Sequence, residues 1–393
     1  MRTCIVVILI LTCLITSSVF AQIPEEPLRN VLKLVLEFGA ENVQDEFLLA
    51  RPAGLLVTKD GDIITADENR LKVYDKNGNG KKIFGGKGKG PGEFEGRPRI
   101  FIGPQDYIAV VSQGRGDGIF FNIYDNLYRF VEKKNLLMDP LLNNHLNTLD
   151  YNDKSISLIE KIVPIDNMKT VFCLRIKTPA YRNLLLYKNN NEIETIFDIS
   201  KPGSYYITDH KGFNPNLGEL FWDVLTDNKV VYINTDEDYY DNEDGNFYYV
   251  IHIVDLNSLK DTKIKRKFNP VKLPEDLNRF IIKTITTAKA VNEMKDIYRK
   301  KGFFTSSRLF HLDKDILYVY LYEGYYRNKF DNSKEKIFPT DIFDLNQQKY
   351  IKSVIFPEYI FPRNGKYHYD IGTDKEGFPV IKKYRIDPAV YGK

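Results

Sequence analysis

The stretch Phe47-Leu-Leu-Ala-Arg51-Pro52-Ala-Gly54-Leu-Leu-Val57, continued after Asp60-Gly61 by Ile63-Ile-Thr-Ala66, returns as Phe94-Glu-Gly-Arg97-Pro98-Arg99-Ile-Phe-Ile102 and, after Gln105-Asp106, as Ile108-Ala-Val-Val111. Two neighbouring units share one plan, which marks a repeat architecture. Within the first unit, Gly54 to Lys59, Ile63 to Ala66, Leu71 to Tyr74 and Lys82 to Phe84 are short apolar or alternating runs. Asp60-Gly61, Glu68-Asn69 and Lys76-Asn77-Gly78 separate them with turn chemistry. Four antiparallel strands in about 35 residues have the size of one propeller blade.

The turn between the first and second strand can be followed down the chain through Asp60, Asp106, Asp166, Asp227, Asp313 and Asp374. Six such turns predict an all-β, six-bladed β-propeller. The interval from Asp227 to Asp313 is the longest and contains 274–301, where Leu277, Ile281, Ile285, Ala288 and Val291 recur at helical spacing. That predicts one helical insertion between blades 4 and 5. The sixth unit, read as Tyr367 to Thr373 and Phe378 to Ile386, runs out of chain. The N-terminal run Leu32-Lys-Leu-Val-Leu-Glu-Phe38-Gly39 parallels Lys81-Lys-Ile-Phe84-Gly85, so the N-terminal strand is expected to close the last blade.

Composition agrees with this reading. The 393 residues are 43% hydrophobic, with 26 Tyr and 25 Phe against a single Trp, enough for a large core and inconsistent with wholesale disorder. Lys and Arg number 56 against 53 Asp and Glu, a balance that argues against nucleic acid as partner. Residues 1–21 carry Arg2, an apolar run from Cys4 to Ile15 and a small-residue end at Val19-Phe20-Ala21, the layout of a secretory signal peptide cleaved before Gln22. A bacterial, extracytoplasmic protein with a propeller domain over 22–393 and no transmembrane segment after cleavage is expected. Thr12-Cys13 offers a poorer lipid-anchor reading, because Thr is large for that position. Cys4 and Cys13 leave with the leader, so Cys173 is the one cysteine of the mature chain and no intrachain disulfide forms. Cys173 lies in the apolar run Thr170 to Ile176 and reads as a small buried hydrophobe.

The run Lys59-Asp-Gly-Asp-Ile-Ile-Thr-Ala-Asp-Glu-Asn-Arg-Leu-Lys-Val-Tyr-Asp-Lys-Asn-Gly78, continued to Phe84-Gly-Gly-Lys-Gly-Lys-Gly-Pro-Gly-Glu-Phe94, resembles an NHL repeat. It is most similar to secreted bacterial six-bladed propellers built from NHL-like units. The likeness is close from Lys59 to Phe94 and fades after about residue 130. It implies that the glycines from Gly85 to Gly92 carry the chain from one blade to the next. A phosphate loop is excluded, since no Lys-Ser/Thr pair or helix follows.

In propellers the connections between second and third strands, together with the blade links, gather on one face around the channel. Binding residues are therefore expected at Arg70, Arg115, Tyr181, Arg182, Tyr239, Tyr240, Tyr325, Tyr326 and Arg327, with His145, His210 and Tyr205-Tyr206 in the links. Arg and Tyr suit carboxylates and planar groups, so the expected ligand is a protein or peptide, a glycan or a small molecule, without catalysis. The acidic stretch Asp236 to Asp244 is out of register for a calcium loop and reads as a hairpin tip. The alternative is a metal-dependent propeller lyase or lactonase. Its ligands to a divalent metal would be His311 and His368, both read into the innermost strands of blades 5 and 6. No Gly-x-Ser-x-Gly or His-Glu-x-x-His pattern supports other chemistry.

Overall fold

The computed structural model describes residues 28, 30–40, 43–94, 98–113, 119–149, 151, 156–177, 181–198, 219–226, 228–272, 302–324 and 337–391. The leader and the helical insertion expected over 274–301 lie outside the described residues. The described strands form six antiparallel sheets. After β1 (Leu32–Phe38), blade 1 holds β2 (Pro52–Val57), β3 (Ile63–Asp67), β4 (Arg70–Tyr74) and β5 (Gly80–Phe84). Blade 2 holds β6 (Arg99–Ile102), β7 (Ile108–Gln113), β8 (Ile119–Tyr124) and β9 (Phe130–Asn135). Blade 3 holds β10 (Ile156–Pro164), β11 (Thr170–Lys177), β12 (Tyr181–Lys188) and β13 (Ile193–Asp198). Blade 4 holds β14 (Leu220–Val224), β15 (Lys229–Asn234), a short β16 (Tyr239–Asp241), β17 (Asn246–Asp255) and β18 (Asp261–Phe268). Blade 5 holds β19 (Ser307–Asp313), β20 (Ile316–Leu321), β21 (Phe338–Asp344) and β22 (Lys349–Phe356). Blade 6 is β23 (Pro362–Arg363), β24 (Tyr367–Thr373), β25 (Pro379–Ile386) and, on its outer edge, β1. The chain is thus an all-β, six-bladed propeller closed by its N-terminal strand.

The sixth blade corrects one expectation. Tyr367 to Thr373 is its second strand, and the inner strand is the two-residue β23. The first turn of this blade falls at Asn364-Gly365, where Asn364 has φ 58, matching Asp106, Asn228 and Lys314 at φ 63, 59 and 57 in the corresponding turns. Asp374 instead closes the next turn, accepting from the Glu376 and Phe378 amides at 2.9 and 2.8 Å. Two residues carry no alternation, so β23 left no periodic mark.

The core has no single centre. Six clusters of buried side chains lie one at each seam between neighbouring blades. At the closing seam, Phe38 from β1 is 1% exposed and packs 5.0 Å from the Tyr74 ring of blade 1. A Cβ on Gly78 would lie 2.7 Å from Phe38 Cγ, and Gly78 has φ +85, so only glycine fits that turn. Tyrosine hydroxyls then pin the links: Tyr124 donates to the Gly92 carbonyl at 2.7 Å, and Tyr74 makes the equivalent bond to Phe47. Between blades 2 and 3 the link forms a helix, α1 (Pro140–Thr148), capped by Asp139 and opened by Pro140.

In blade 4 a buried histidine holds the entry to the connection between second and third strands. His252 meets Asp261 through Nδ1 at 2.7 Å and Glu237 through Nε2 at 2.8 Å, and stacks on Tyr232 at 4.3 Å. Burial pulls its pKa down, but the two carboxylate hydrogen bonds outweigh it, and the net shift is upward from 6.5. Lys263, 3.8 Å from Asp261, is the nearby cation.

Phe38→Ala should cost about 3–5 kcal/mol in chemical denaturation, the usual penalty for truncating a buried Phe, and bring the melting transition down accordingly. His252 stabilises fully below its unfolded value of about 6.5 and loses that contribution as pH rises through its raised folded value. His252→Gln should therefore lower the melting temperature more at about pH 5.5 than at about pH 9, read by paired thermal melts.

Candidate functional site

The inner strands β2, β6, β10, β14, β19 and β23 surround the channel, so each of its ends is built from a different set of connections. The first-to-second-strand turns form one face. There Lys59 N–H meets the Asp106 carboxylate at 3.1 Å, and the Asp313 carboxylate accepts from Gly365 N–H at 2.9 Å, stitching neighbouring turns together. A bowl of about 560 Å³ opens on this side, with Lys59, Asp106, Lys161 and His311 in its wall.

The second-to-third-strand connections and blade links form the opposite face, as expected for the nominated rim. Arg70 stands there at the start of β4, exposed and opposite Asp67 in register. Tyr239 and Tyr240 lie in β16, which pairs with Tyr248 and Phe247 of β17, so the acidic stretch is a strand extension with a turn at its tip. Tyr240 is 47% exposed, with its ring 4.9 Å from Phe247. Arg70 and the two tyrosines belong to blades 1 and 4, on opposite sides of a six-membered ring, and do not meet. Tyr181 and Arg182 open β12, paired in register with Lys177 and Ile176. Arg115, Tyr325, Tyr326 and Arg327, with His210 and Tyr205-Tyr206, lie outside the described residues.

Five residues that the sequence reading did not single out lie along this face as two ion pairs and one arginine held by backbone carbonyls. Arg99, at the start of β6, donates to the Glu160 carbonyl at 3.1 Å and also reaches the carbonyl of Ile159. Glu160, in β10, is ion-paired with Arg175 of β11. Glu219, just before β14, lies 3.6 Å from Arg308 at the start of β19. Glu219 feels the charges of Glu160 and Arg175 as well as that of Arg308. Burial pushes the Glu219 carboxyl up to about 7 and Glu160 adds to the rise, against the opposing pull of Arg308 and Arg175. The four charged side chains of the two pairs remain a quarter to a third exposed, at 25%, 29%, 31% and 25% for Arg175, Glu160, Arg308 and Glu219. Beside them, the buried Asn183 Oδ1 and Ser307 Oγ find no hydrogen-bond partner among the described residues. The guanidinium groups gathered among carboxyls at this mouth are the side chains that recognise anionic oxygen groups by paired hydrogen bonds.

The histidines are arranged differently from the expectation. His311 is in the inner strand β19, but His368 is in the second strand β24 because β23 takes the inner place. The Phe361 ring lies 5.7 Å from His311 and 6.4 Å from His368, packed against both imidazoles. His145 bonds Thr195 at 2.8 Å. Among the described residues no group of three or more His, Cys, Asp or Glu is placed to hold a metal. Cys173 is buried, and burial pushes its thiol well above the usual range.

Neither a protein-family model nor a curated protein matches the sequence. Solved structures do resemble the chain. A candidate exported protein of Bacteroides fragilis is 12% identical, covering 92% of this chain and 97% of its own, at a TM-score of 0.49. The β-propeller domain of the Trilobed protease from Pyrococcus furiosus, which has an open velcro topology, is 8% identical over 86% of this chain and 95% of its own, at 0.36. A polysaccharide lyase, an ulvan lyase, is 10% identical over 86% and 82%, at 0.37. At such identities and scores these are likenesses only, and the assignment of the six-bladed propeller rests on the six sheets of the chain itself.

Proposed function

We propose that this is an extracytoplasmic, NHL-like binding propeller that takes a carboxylate-bearing ligand, a glycan or a peptide, at the loop-face mouth of its channel. The observation that carries the reading is the pair of ion pairs Glu160–Arg175 and Glu219–Arg308, with Arg99 on the Glu160 carbonyl, contributed by four consecutive blades. Arg favours planar, bidentate contact with carboxylates, and half-buried guanidinium groups bind them more strongly than exposed ones. Arg70 and the exposed Tyr240 stand farther out on the same face and suit contacts along an extended ligand. Export is inferred from the leader at 1–21; among the described residues, no helix is long and apolar enough to cross a membrane. The packing of Phe361 against both His311 and His368 gives the metal-dependent alternative no support.

A second reading has one specific observation in its favour. A carboxyl pushed up to about 7 beside an arginine is the kind of group that moves a proton on a bound substrate. In that reading Glu219 is the acid or base of a lyase, and the anionic ligand is consumed instead of held.

Thermal shift on protein beginning at Gln22 should find melting raised by tetragalacturonate or a glutamate-rich peptide and unmoved by their neutral counterparts. Arg308→Ala and Arg175→Ala should each weaken the effect by about tenfold or more, the usual scale for a lost charge-assisted bond. Equal responses to neutral and acidic ligands, or an unaffected Arg308→Ala, would contradict the site. Because a charged Glu219 repels the ligand, affinity should fall from about pH 5.5 to about pH 8.5, and Glu219→Gln should flatten that dependence. Incubation at neutral pH with mass-spectrometric readout separates the two readings: intact ligand supports binding alone, and cleavage by wild type but not by Glu219→Gln establishes the lyase.

A further inference from the structure

A single turn of 3-10 helix, Thr235–Glu237, followed by Asp238, connects β15 to β16 on the loop face. This turn clasps the segments around it. Thr235 holds the chain just ahead of β14: its N–H donates to the Glu219 carbonyl at 3.1 Å, and its Oγ1 accepts from Glu219 N–H at 3.0 Å. Asp238 holds the chain just ahead of β19, its carboxylate accepting from Ser306 N–H at 2.6 Å and from Ser306 Oγ at 3.0 Å. Glu219 and Arg308, which closely follows Ser306, are the two halves of an ion pair at the proposed mouth. The same short turn therefore fixes the backbone on both sides of that pair, through two residues, Thr235 and Asp238, that are themselves buried.

The remaining contact of the turn is inward. Glu237 meets Nε2 of the buried His252 at 2.8 Å, and Nδ1 of the same ring meets Asp261 at 2.7 Å. A neutral imidazole carries one N–H, so both carboxylates can accept from the ring only while it is imidazolium. The groups that bear on the ring are those two carboxylates, the Tyr232 ring stacked on it from β15, and Lys263 of β18, 3.8 Å from Asp261. When the ring loses its proton, one carboxylate faces a lone pair. Asp261 sits in the β17–β18 ladder and keeps Lys263 beside it. Glu237 sits in the turn, outside any ladder, with Asn234 Nδ2 at 3.5 Å, the limit of a hydrogen bond. Glu237 is the carboxylate released.

We propose that, with the mouth taken as the ligand site above, His252 is its positioning residue: the imidazolium holds Glu237, and the turn so held keeps Glu219 and Arg308 in place for the ligand. Burial opposes the charge on His252 and the two carboxylates outweigh it, so the clamp is complete at low pH and is lost as pH rises through the raised folded value.

Hydrogen exchange of the Ser306 amide in ligand-free protein beginning at Gln22, corrected for the intrinsic pH dependence of exchange, reads the clamp. Wild-type protection should fall by about tenfold or more between about pH 5.5 and about pH 9. Glu237→Gln should keep the protection at both, because an amide accepts from imidazolium through its oxygen and donates to neutral imidazole through its nitrogen. Wild-type protection that does not change with pH, or Glu237→Gln protection that falls as the wild type's does, would overturn the proposal. Tetragalacturonate then links the clamp to the mouth. Removing the Glu237 charge alone would strengthen binding of an anion by a similar factor at either pH. With the clamp, the gain of Glu237→Gln over wild type should be at least about threefold larger at about pH 9 than at about pH 5.5. An equal gain at the two pH values would overturn the coupling of His252 to the site. Tetragalacturonate bound by neither protein, with exchange as expected, would uphold the clamp and contradict the ligand mouth instead.

Discussion

The structure depends on the pairing of β1 with β25. A propeller spreads its apolar core over seams between blades, so each blade is stabilised only by its two neighbours, and an open ring would leave two blades with one seam each. Pairing Leu32 to Phe38 with Ile386 to Ile381 gives blade 6 its outer strand and brings Phe38 against Tyr74 of blade 1. The same few residues therefore remove a sheet edge and complete the sixth seam. The link pins, Tyr74 to Phe47 and Tyr124 to Gly92, then fix the angle at which each early blade leaves the axis.

Closure also determines what each end of the channel can do. Short turns on one face are braced by carboxylates that accept backbone N–H groups, a use that fixes their geometry. On the other face the inner strands begin, and Arg99, Glu219 and Arg308 stand at or beside the starts of three of them. Burial disfavours charge on Glu219 while Arg308 favours it, and burial wins, leaving a proton-exchanging group beside guanidinium groups. The two ion pairs, with the Asn183 and Ser307 oxygens that find no partner among the described residues alongside, give the loop face its chemical character.

The fold was legible because its devices are local and repeated: Asp-Gly turns, alternating runs and a Phe-Arg-Pro entry to successive blades. The closing strand was legible through the likeness of its Phe38-Gly39 to Phe84-Gly85. The sixth blade was misread at its inner edge because β23 has two residues, too few for any period, and this carried His368 to the wrong strand. The helix α1 did have a signal, Asp139 before Pro140, that an all-strand reading passed over. Site residues were the least legible. Arg175 and Glu160 interrupt otherwise apolar runs, a visible anomaly, but that they meet each other and approach Glu219 depends on blade order and a bulge in β10, which no local pattern encodes. Tyr and Arg in loops were conspicuous by composition, and Arg70 stands across the ring from Tyr239 and Tyr240.

The most direct measurement is a crystal structure of the protein beginning at Gln22 with tetragalacturonate bound. The account predicts a uronate carboxylate within hydrogen-bond reach of Arg308 or Arg175 at the loop-face mouth, with Glu219 facing the sugar. A ligand seated in the turn-face bowl, or on the loop face without contact to either arginine, would contradict it.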